Sequence, residues 1–197
     1  MQTRRQLGKG KRRAARRVWG AAIAAVVLLC PGRLCAQQER EAEYKVKLAF
    51  LYHFAQFIEW PSSSFHDAQS PLVICIAGHD PFKGGIEQAL HGRTAGGHPV
   101  TLKVLSAGED SRTCQMMFVP AAASRELPRV LAPLKGSSVL TVGEAKGFVS
   151  HGGMINLVVE DNKVRFEVNL EAAQRSGLRI SSKVLALARI VTPERAP

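Results

Sequence analysis

The sequence has few cysteines and no long hydrophobic run, and both shortages limit what the protein can be. Its four cysteines are Cys30, Cys35, Cys75 and Cys114. Neither Cys75 nor Cys114 belongs to a set of Cys and His residues at the spacing of a zinc site. The apolar run Val18–Leu29 has 12 residues, whereas a membrane-spanning helix takes about 20. These features disfavour a zinc site and a transmembrane helix.

Acidic residues are absent from the beginning of the chain. Residues 1–36 contain nine Lys or Arg and no Asp or Glu. A basic segment, Arg4–Arg17, precedes the apolar run, and the sequence Leu-Cys-Ala that follows ends in a small residue, as signal peptidase requires. We therefore predict a secretory signal peptide over residues 1–36, cleaved between Ala36 and Gln37. An uncleaved amphipathic anchor is the alternative.

Two other routes of export, the twin-arginine pathway and lipoprotein processing, were compared with ordinary secretion for this leader. Thr3–Lys9 resembles a twin-arginine signal, but the apolar run begins well downstream of Arg5, which favours ordinary secretion. Cys30 and Cys35 lack the small residue expected before a lipidated cysteine, so a lipoprotein is rejected. The sequence predicts a periplasmic protein with no stable membrane insertion after cleavage.

The basic character of the chain belongs to this leader. The whole chain carries a formal charge of +11, but residues 37–197 hold 18 basic and 16 acidic residues, a net charge of +2. No basic patch points to nucleic acid. The length that remains suits one domain, which we place at residues 43–191, after a short linker at 37–42 and before a polar tail at 192–197.

Catalytic motifs are also missing. The serines form neither a G-x-S-x-G elbow nor an S-x-x-K site, and the six histidines are scattered rather than paired as metal ligands. The segment Gly78–Gly85 follows a strand and opens a helix, as phosphate loops do, but lacks the Lys-Ser/Thr ending and the G-x-G-x-x-G spacing. A tight turn at Gly78 is the favoured interpretation. We predict no catalytic, cofactor-binding or metal-binding residues and no enzyme. An enzyme with an unfamiliar arrangement of catalytic residues is the remaining alternative.

An aromatic segment, Tyr44–Trp60, is predicted to be the first helix of the domain. On a helical wheel its apolar residues share a wide face and its polar residues a narrow one, with Lys47 alone breaking the pattern. The polar residues are Lys45, His53, Gln56 and Glu59. The aromatic residues assigned to the core are Phe50, Phe54, Phe57 and Trp60. Pro61 is expected to end this helix.

The middle of the chain alternates between strands and helices. Buried or alternating strands are predicted at Pro71–Gly78, His98–Leu105, Cys114–Pro120 and Ser137–Gly143. Helices are predicted after the first strand and at Ser124–Leu131, the latter short or kinked because of Pro128 and Pro133. Asp80 is expected to cap the first of these helices. This order predicts an α/β fold, mainly a parallel sheet flanked by helices.

A different unit closes the domain. Met154–Asn169 alternates as two arms around Asp161-Asn162, which predicts a β-hairpin. Two closing helices follow, one ending at Gly177 and a last one capped at Ser181 or Ser182. Three polar residues of this region, Asn156, Glu167 and Asn169, are expected to be solvated.

Cys75 and Cys114 are an even pair in an exported chain. In an oxidising compartment a disulfide is favoured over two free thiols.

Taken in order, several segments resemble the YfiR-like family of small periplasmic proteins over residues 43–191. They are YKVKLAFLYHFAQFIEWP, CIAGHDPF, the single Cys114 before an apolar strand, VLTVGEAKGF, GGMINL and VRFEVNLEAAQRSGLRISSKVLALARIV. The resemblance implies a dimeric negative regulator that acts on the periplasmic sensor domain of an inner-membrane signalling enzyme. In the family prototype this enzyme is a diguanylate cyclase, so the regulator is expected to affect cyclic-di-GMP signalling and biofilm formation. It also implies a Cys75–Cys114 disulfide. The second disulfide of the prototype has no counterpart here.

Two classes of function therefore stand. The first is the non-catalytic regulator that the resemblance implies. The second is a small-ligand sensor or binding protein, working with a histidine kinase or a transporter, whose pocket lies at the strand ends of the sheet.

Overall fold

A computed structural model describes residues 31–106 and 108–192. The predictions for residues 1–30 and for the tail from residue 193 onward lie outside these ranges. The chain divides between Ala42 and Glu43, and the packing described below is that of the unit beginning at Glu43. In the part of the chain that the structure describes, no helix is both long and apolar enough to cross a membrane.

The described residues form short elements after one long helix. The α-helices are α1 Pro31–Phe57, α2 Gly85–Leu90, α3 Leu127–Leu131, α4 Leu170–Arg175 and α5 Ser182–Leu185. The strands are β1 Ile58–Glu59, β2 Leu72–Ala77, β3 Thr94–Ala95, β4 His98–Leu105, β5 Met116–Val119, β6 Leu140–Gly143, β7 Ile155–Glu160, β8 Lys163–Val168, β9 Arg179–Ile180 and β10 Arg189–Ile190. The 3₁₀ turns are Ser62–Ser64, Ser111–Thr113, Ala121–Glu126 and Ala132–Leu134.

Eight strands form one mixed sheet, so the predicted α/β fold is confirmed. Their order is β10-β8-β7-β6-β5-β2-β4-β3. The five strands from β4 to β7 in that order run parallel, and β8 returns antiparallel to β7. The turn between β7 and β8 places Asp161 and Asn162 at φ 51° and 58°, the left-handed region that Asp and Asn tolerate in hairpins.

The central strands are buried because both faces of the sheet are covered. Ile74 and Ile76 of β2 belong to a core that includes the inner face of α1. Cys75, between them, points to the opposite face and packs with Leu127 and Leu131 of α3. This alternation along one strand follows from the period of two in extended chains, and a strand buried on both faces reads as a continuous apolar run.

Helix α1 covers the sheet with its aromatic face. Phe54 is 1 % exposed, and its ring centroid lies 5.2 Å from that of Phe166 on β8. Phe50, Phe57 and Trp60 are half-buried around it. The residues assigned to the polar face, Lys45, His53, Gln56 and Glu59, are exposed.

The end of α1 corrects the sequence prediction. The helix stops at Phe57, three residues before Trp60. Ile58 and Glu59 instead form β1, which pairs antiparallel with Ile180 and Arg179 of β9. Backbone pairing with a distant segment therefore ends the helix before Pro61 can.

Two further helices are short, the first as its prolines predict and the last against the sequence prediction. The segment expected to be helical at Ser124–Leu131 begins as a 3₁₀ turn and becomes helix α3 only at Leu127. The last helix, capped by Ser181 as expected, spans only Ser182–Leu185. The chain then extends as β10, where Arg189 pairs with both Glu160 and Glu167. These contacts to β7 and β8 favour a strand over continued helix.

Two polar residues of the hairpin region are buried rather than solvated. Asn156 is 2 % and Asn169 is 1 % exposed. The Asn169 side chain accepts a hydrogen bond of 3.0 Å from the Ala172 amide and so caps α4. Glu167 alone of the three stays partly exposed.

Candidate functional site

The parallel strands create a crevice at their carboxyl ends. Strand β4 lies on one side of β2 and β5 on the other, so the order in which successive strands are added to the sheet reverses between β2 and β5. In open α/β sheets, ligands bind outside the carboxyl ends of the strands at such a reversal. The predicted ligand pocket at the strand ends would lie here.

Glu144 fills one side of this crevice. It follows the last residue of β6, and its side chain is only 2 % exposed. Its Oε1 accepts hydrogen bonds from the Tyr44 hydroxyl at 2.9 Å and from the Ala121 amide, just beyond β5, at 2.8 Å. Its other oxygen, Oε2, pairs with Lys47. The carboxylate therefore has donors on both oxygens, as a buried charge requires.

Lys47 brings the positive charge into the crevice from α1. Its side chain is 5 % exposed and pairs with both Glu144 and Glu43. The ammonium also lies 4.7 Å from the centroid of the Tyr44 ring, within the range of a cation–π contact. Glu43, Tyr44 and Lys47 lie on consecutive turns of α1, so this group ties the helix to the ends of β5 and β6.

Aromatic rings close the other side of the crevice. Phe82, in the turn after β2, is 9 % exposed and lies 5.4 Å from Tyr44 and 5.3 Å from Phe118 of β5, between ring centroids. Asp80 holds this turn by accepting hydrogen bonds from the amides of Phe82 and Gly84 at 2.8 and 2.9 Å. It therefore caps the turn instead of α2, which begins only at Gly85.

A phenylalanine wedge supports the segment that carries Glu144. Phe148 is fully buried and lies between Gly143 and Gly153. A Cβ atom on either glycine would overlap its ring. The two glycines are therefore needed for close approach to the ring, since neither has a positive φ.

The structure contains the expected disulfide between Cys75 and Cys114. It joins β2 to the residue two positions before β5, with 5.9 Å between the Cα atoms. Cys75 and Cys114 are 0 % and 2 % exposed, so the bond is sealed inside the core that contains α3.

Charged side chains at the surface stabilise the segment that leads to Cys114. Asp110 accepts hydrogen bonds of 3.0 Å from both the side-chain Nε and the amide of Arg112. These bonds, the side-chain one foremost, lower the pKa of the Asp110 carboxyl. Glu109 is held similarly by Lys103 and then by the Ser106 amide, which also lowers the pKa of its carboxyl.

Few of the residues singled out from the sequence lie in the crevice. The helix face assigned to the core holds Phe50 and Phe54 against Phe166, away from Glu144. Lys47 was singled out only as an exception to the amphipathic pattern, and this was the signal that a buried partner existed. Glu144 carried no signal, because its partner lies 97 positions away in the sequence.

The side chains at this end of the sheet contact one another. The charged groups in the crevice are paired with each other, and the space that a ligand would take is filled by Tyr44, Lys47, Phe82 and Glu144. Within residues 31–106 and 108–192, no group of three or more His, Cys, Asp or Glu is placed to hold a metal ion.

Comparison with protein families adds one match. A family model described as YfiR/HmsC-like matches residues 44–189. The match begins at Tyr44, in the crevice, and ends at Arg189, the first residue of edge strand β10, so it includes the sheet except for Ile190.

Proposed function

Because the chain belongs to the YfiR/HmsC-like family, we propose that it inhibits a membrane signalling enzyme, a diguanylate cyclase, by binding that enzyme's periplasmic region. The family is one of periplasmic, non-catalytic regulators of diguanylate cyclases. The observation that carries the proposal is the match over residues 44–189, which covers the sheet and α1 from Tyr44 onward. The proposal includes export by the leader at residues 1–36 and a homodimeric regulator.

The filled crevice supports binding over catalysis. Lys47 and Glu144 neutralise each other where an α/β enzyme or sensor would keep its ligand. A regulator that acts through its surface needs no open pocket at this position. The buried charges then serve to hold α1 in place, and the outer surface is left for the partner.

Inhibition works by population shift. The regulator needs only to bind the inactive conformation of the cyclase's periplasmic region more tightly than the active one. A preference of about 1.4 kcal/mol moves the equilibrium tenfold. The partner's activity then follows the amount of free regulator in the periplasm.

Release by competition fits the structure better than release by reduction. Both sulfurs of the disulfide are buried, so a reductant reaches them only after local opening of the core. We propose that another envelope protein, competing for the regulator, frees the cyclase.

The test is deletion of the gene, with cyclic-di-GMP and biofilm measured. Both are expected to rise in the deletion strain, and the full-length gene is expected to return both to the level of the parent strain. A version without residues 1–36 is the matched control, because it makes the same domain without export, and it should not restore either. Unchanged cyclic-di-GMP in the deletion strain, together with a lost response of a neighbouring kinase or transporter, would overturn the cyclase proposal.

A further inference from the structure

A cavity lies at the opposite end of the sheet from Glu144. It is a cleft of about 550 Å³ beside the amino ends of β6 and β7, between the turn after α3 and helix α4. This volume lies within the range of roughly 300 to 1,000 Å³ found for ligand pockets. The chain's own side chains fill the crevice at the carboxyl ends, whereas this cleft is open.

The floor of the cleft is mostly apolar. Leu131, Leu134, Met154 and Ala172 line it, and each is at most 7 % exposed. The floor also includes Thr141, but its hydroxyl already accepts a hydrogen bond of 3.0 Å from the Met154 amide. The floor therefore suits an apolar body rather than a sugar or another heavily hydroxylated ligand.

The rim of the cleft carries the charge. Its ionisable residues are Lys135, His151 and Arg175, all exposed, and no carboxylate is among the described residues that line the cleft. Arg175 pairs with Glu171 one turn earlier on α4, and the His151 Nδ1 lies 2.8 Å from the Gly147 carbonyl oxygen. Lys135 has no ion pair among the described residues and is the cation most available to a ligand.

We propose that this cleft binds a small organic anion, a carboxylate or phosphate monoester carried on an apolar body of one to three rings. The apolar part lies on Leu131, Leu134 and Met154. The anionic group meets Lys135 and Arg175 at the rim, where two cations face the cleft and the guanidinium can share its donors between Glu171 and the ligand. The proposal goes beyond partner inhibition, since it concerns a ligand site of the domain itself.

The test uses 8-anilinonaphthalene-1-sulfonate as the probe, because it joins an apolar ring system to one anionic group and fluoresces when bound. The folded protein is titrated at low salt, with circular dichroism and thermal melting confirming that each variant is native. Lys135→Gln and Arg175→Gln are each expected to weaken binding roughly tenfold, the loss of one charged hydrogen bond. Ala132→Phe, at an exposed position of the rim, should block binding by filling the cleft.

Matched controls separate the cleft from general attraction of anions. Lys163→Gln removes an exposed lysine far along the hairpin, and Arg179→Gln removes an exposed arginine that, like Arg175, pairs with a carboxylate. Both controls should leave the dissociation constant within about twofold, the size of an exposed charge's indirect effect. Equal weakening by the controls and the rim variants would overturn the site, as would binding unaffected by Ala132→Phe.

Competition then identifies the anionic group. Phenyl phosphate and phenylacetate are added to the bound probe, and displacement by one of them assigns a phosphate or a carboxylate to the rim. Displacement by neither would overturn the ligand class. These measurements need no partner protein, so their failure leaves the proposed inhibition of a cyclase untouched, and failure of the gene deletion test leaves the cleft untouched.

Discussion

At the scale of single residues, the paired charges of Lys47 and Glu144 are the most sensitive feature of the domain. A buried pair contributes little net stability compared with apolar residues of the same size, but removing one partner leaves an uncompensated charge. Three donors bind the Glu144 carboxylate: the Tyr44 hydroxyl, the Ala121 amide and the Lys47 ammonium. Removing Lys47 is therefore expected to destabilise the attachment of α1 to the ends of β5 and β6.

We expect Lys47→Met to lower the free energy of unfolding by about 3 to 5 kcal/mol, because it leaves the Glu144 carboxylate buried without its cation. The double variant Lys47→Met/Glu144→Gln should recover about 1.5 kcal/mol or more of this loss, since the amide oxygen still accepts from Tyr44 and Ala121 but carries no charge. Urea denaturation at neutral pH measures the free energy of unfolding of the single and the double variant.

The exposed pair of Lys103 and Glu109 provides the control. Their side chains are 49 % and 38 % exposed, so Lys103→Met should cost at most about 1 kcal/mol. Equal costs at Lys47 and Lys103 would show that the crevice pair is solvated and that α1 is held by its apolar face alone.

Gly143 is the second sensitive residue, for a steric reason. Gly143→Ala places a methyl group against the ring of Phe148, and overpacking of this kind costs about 1 to 3 kcal/mol. Gly85→Ala is the matched control, because nothing lies within 4 Å of its Cβ position and its φ is ordinary. Thermal melting should shift downward for Gly143→Ala and stay level or rise for Gly85→Ala. A similar melting temperature for both variants would contradict the wedge.

At the scale of elements, two features stabilise the sheet: the packing of the aromatic face of α1 on it, and the disulfide that joins β2 to Cys114, two residues before β5. They lie on opposite faces of the sheet. Loss of either should therefore weaken the fold independently of the other, with additive effects on stability.

Phe54→Ala is expected to destabilise the domain by about 3 to 5 kcal/mol, because it leaves a cavity beside Phe50 and Phe166. Gln56→Ala, two residues along the same helix and exposed, should change stability by less than about 0.5 kcal/mol. Denaturant unfolding measures both changes in stability, as shifts of the midpoint at an unchanged dependence of the unfolding free energy on denaturant. If Phe54→Ala melts like the parent protein but loses a partner, then the aromatic face is an interface and not a core.

The disulfide closes a loop with a sequence separation of 39, and the chain-entropy model assigns such a loop about 4 kcal/mol. The variant Cys75→Ala/Cys114→Ala should lose about 2 to 5 kcal/mol. In the native protein, a thiol reagent without reductant should label neither residue, and reduction should require denaturant because both cysteines are buried. Mass spectrometry of periplasmic protein checks this, and labelling of both residues in untreated protein would refute the bond.

At the scale of the whole molecule, location decides function, because a regulator of a periplasmic region must be exported. We expect cleavage between Ala36 and Gln37, as the order of basic segment, apolar run and small residue requires. Intact mass and N-terminal sequencing of the periplasmic fraction would show a chain beginning at Gln37. A full-length product in the cytoplasm would contradict both export and the proposed role.

What the sequence by itself determined is the part of the fold that depends on local pattern. The continuous apolar runs predicted buried parallel strands, the Asp161-Asn162 pair predicted the hairpin, and the aromatic spacing predicted a helix with Phe54 inward. Cys75 and Cys114 are the two cysteines outside the predicted leader, so the sequence predicted that they pair with each other. Each of these depends on residues close together in the chain, or on a choice with one remaining partner.

Only the tertiary structure decided which distant segments meet. Helix α1 ends at Phe57 because Ile58 and Glu59 pair with Ile180 and Arg179, and Lys47 is buried because Glu144 lies opposite it. Hydrophobic periodicity records whether a side chain faces the core, but it carries no information about the partner across the core. The filled crevice and the open cleft at the other end of the sheet are products of such long-range packing, so neither could be predicted from local pattern.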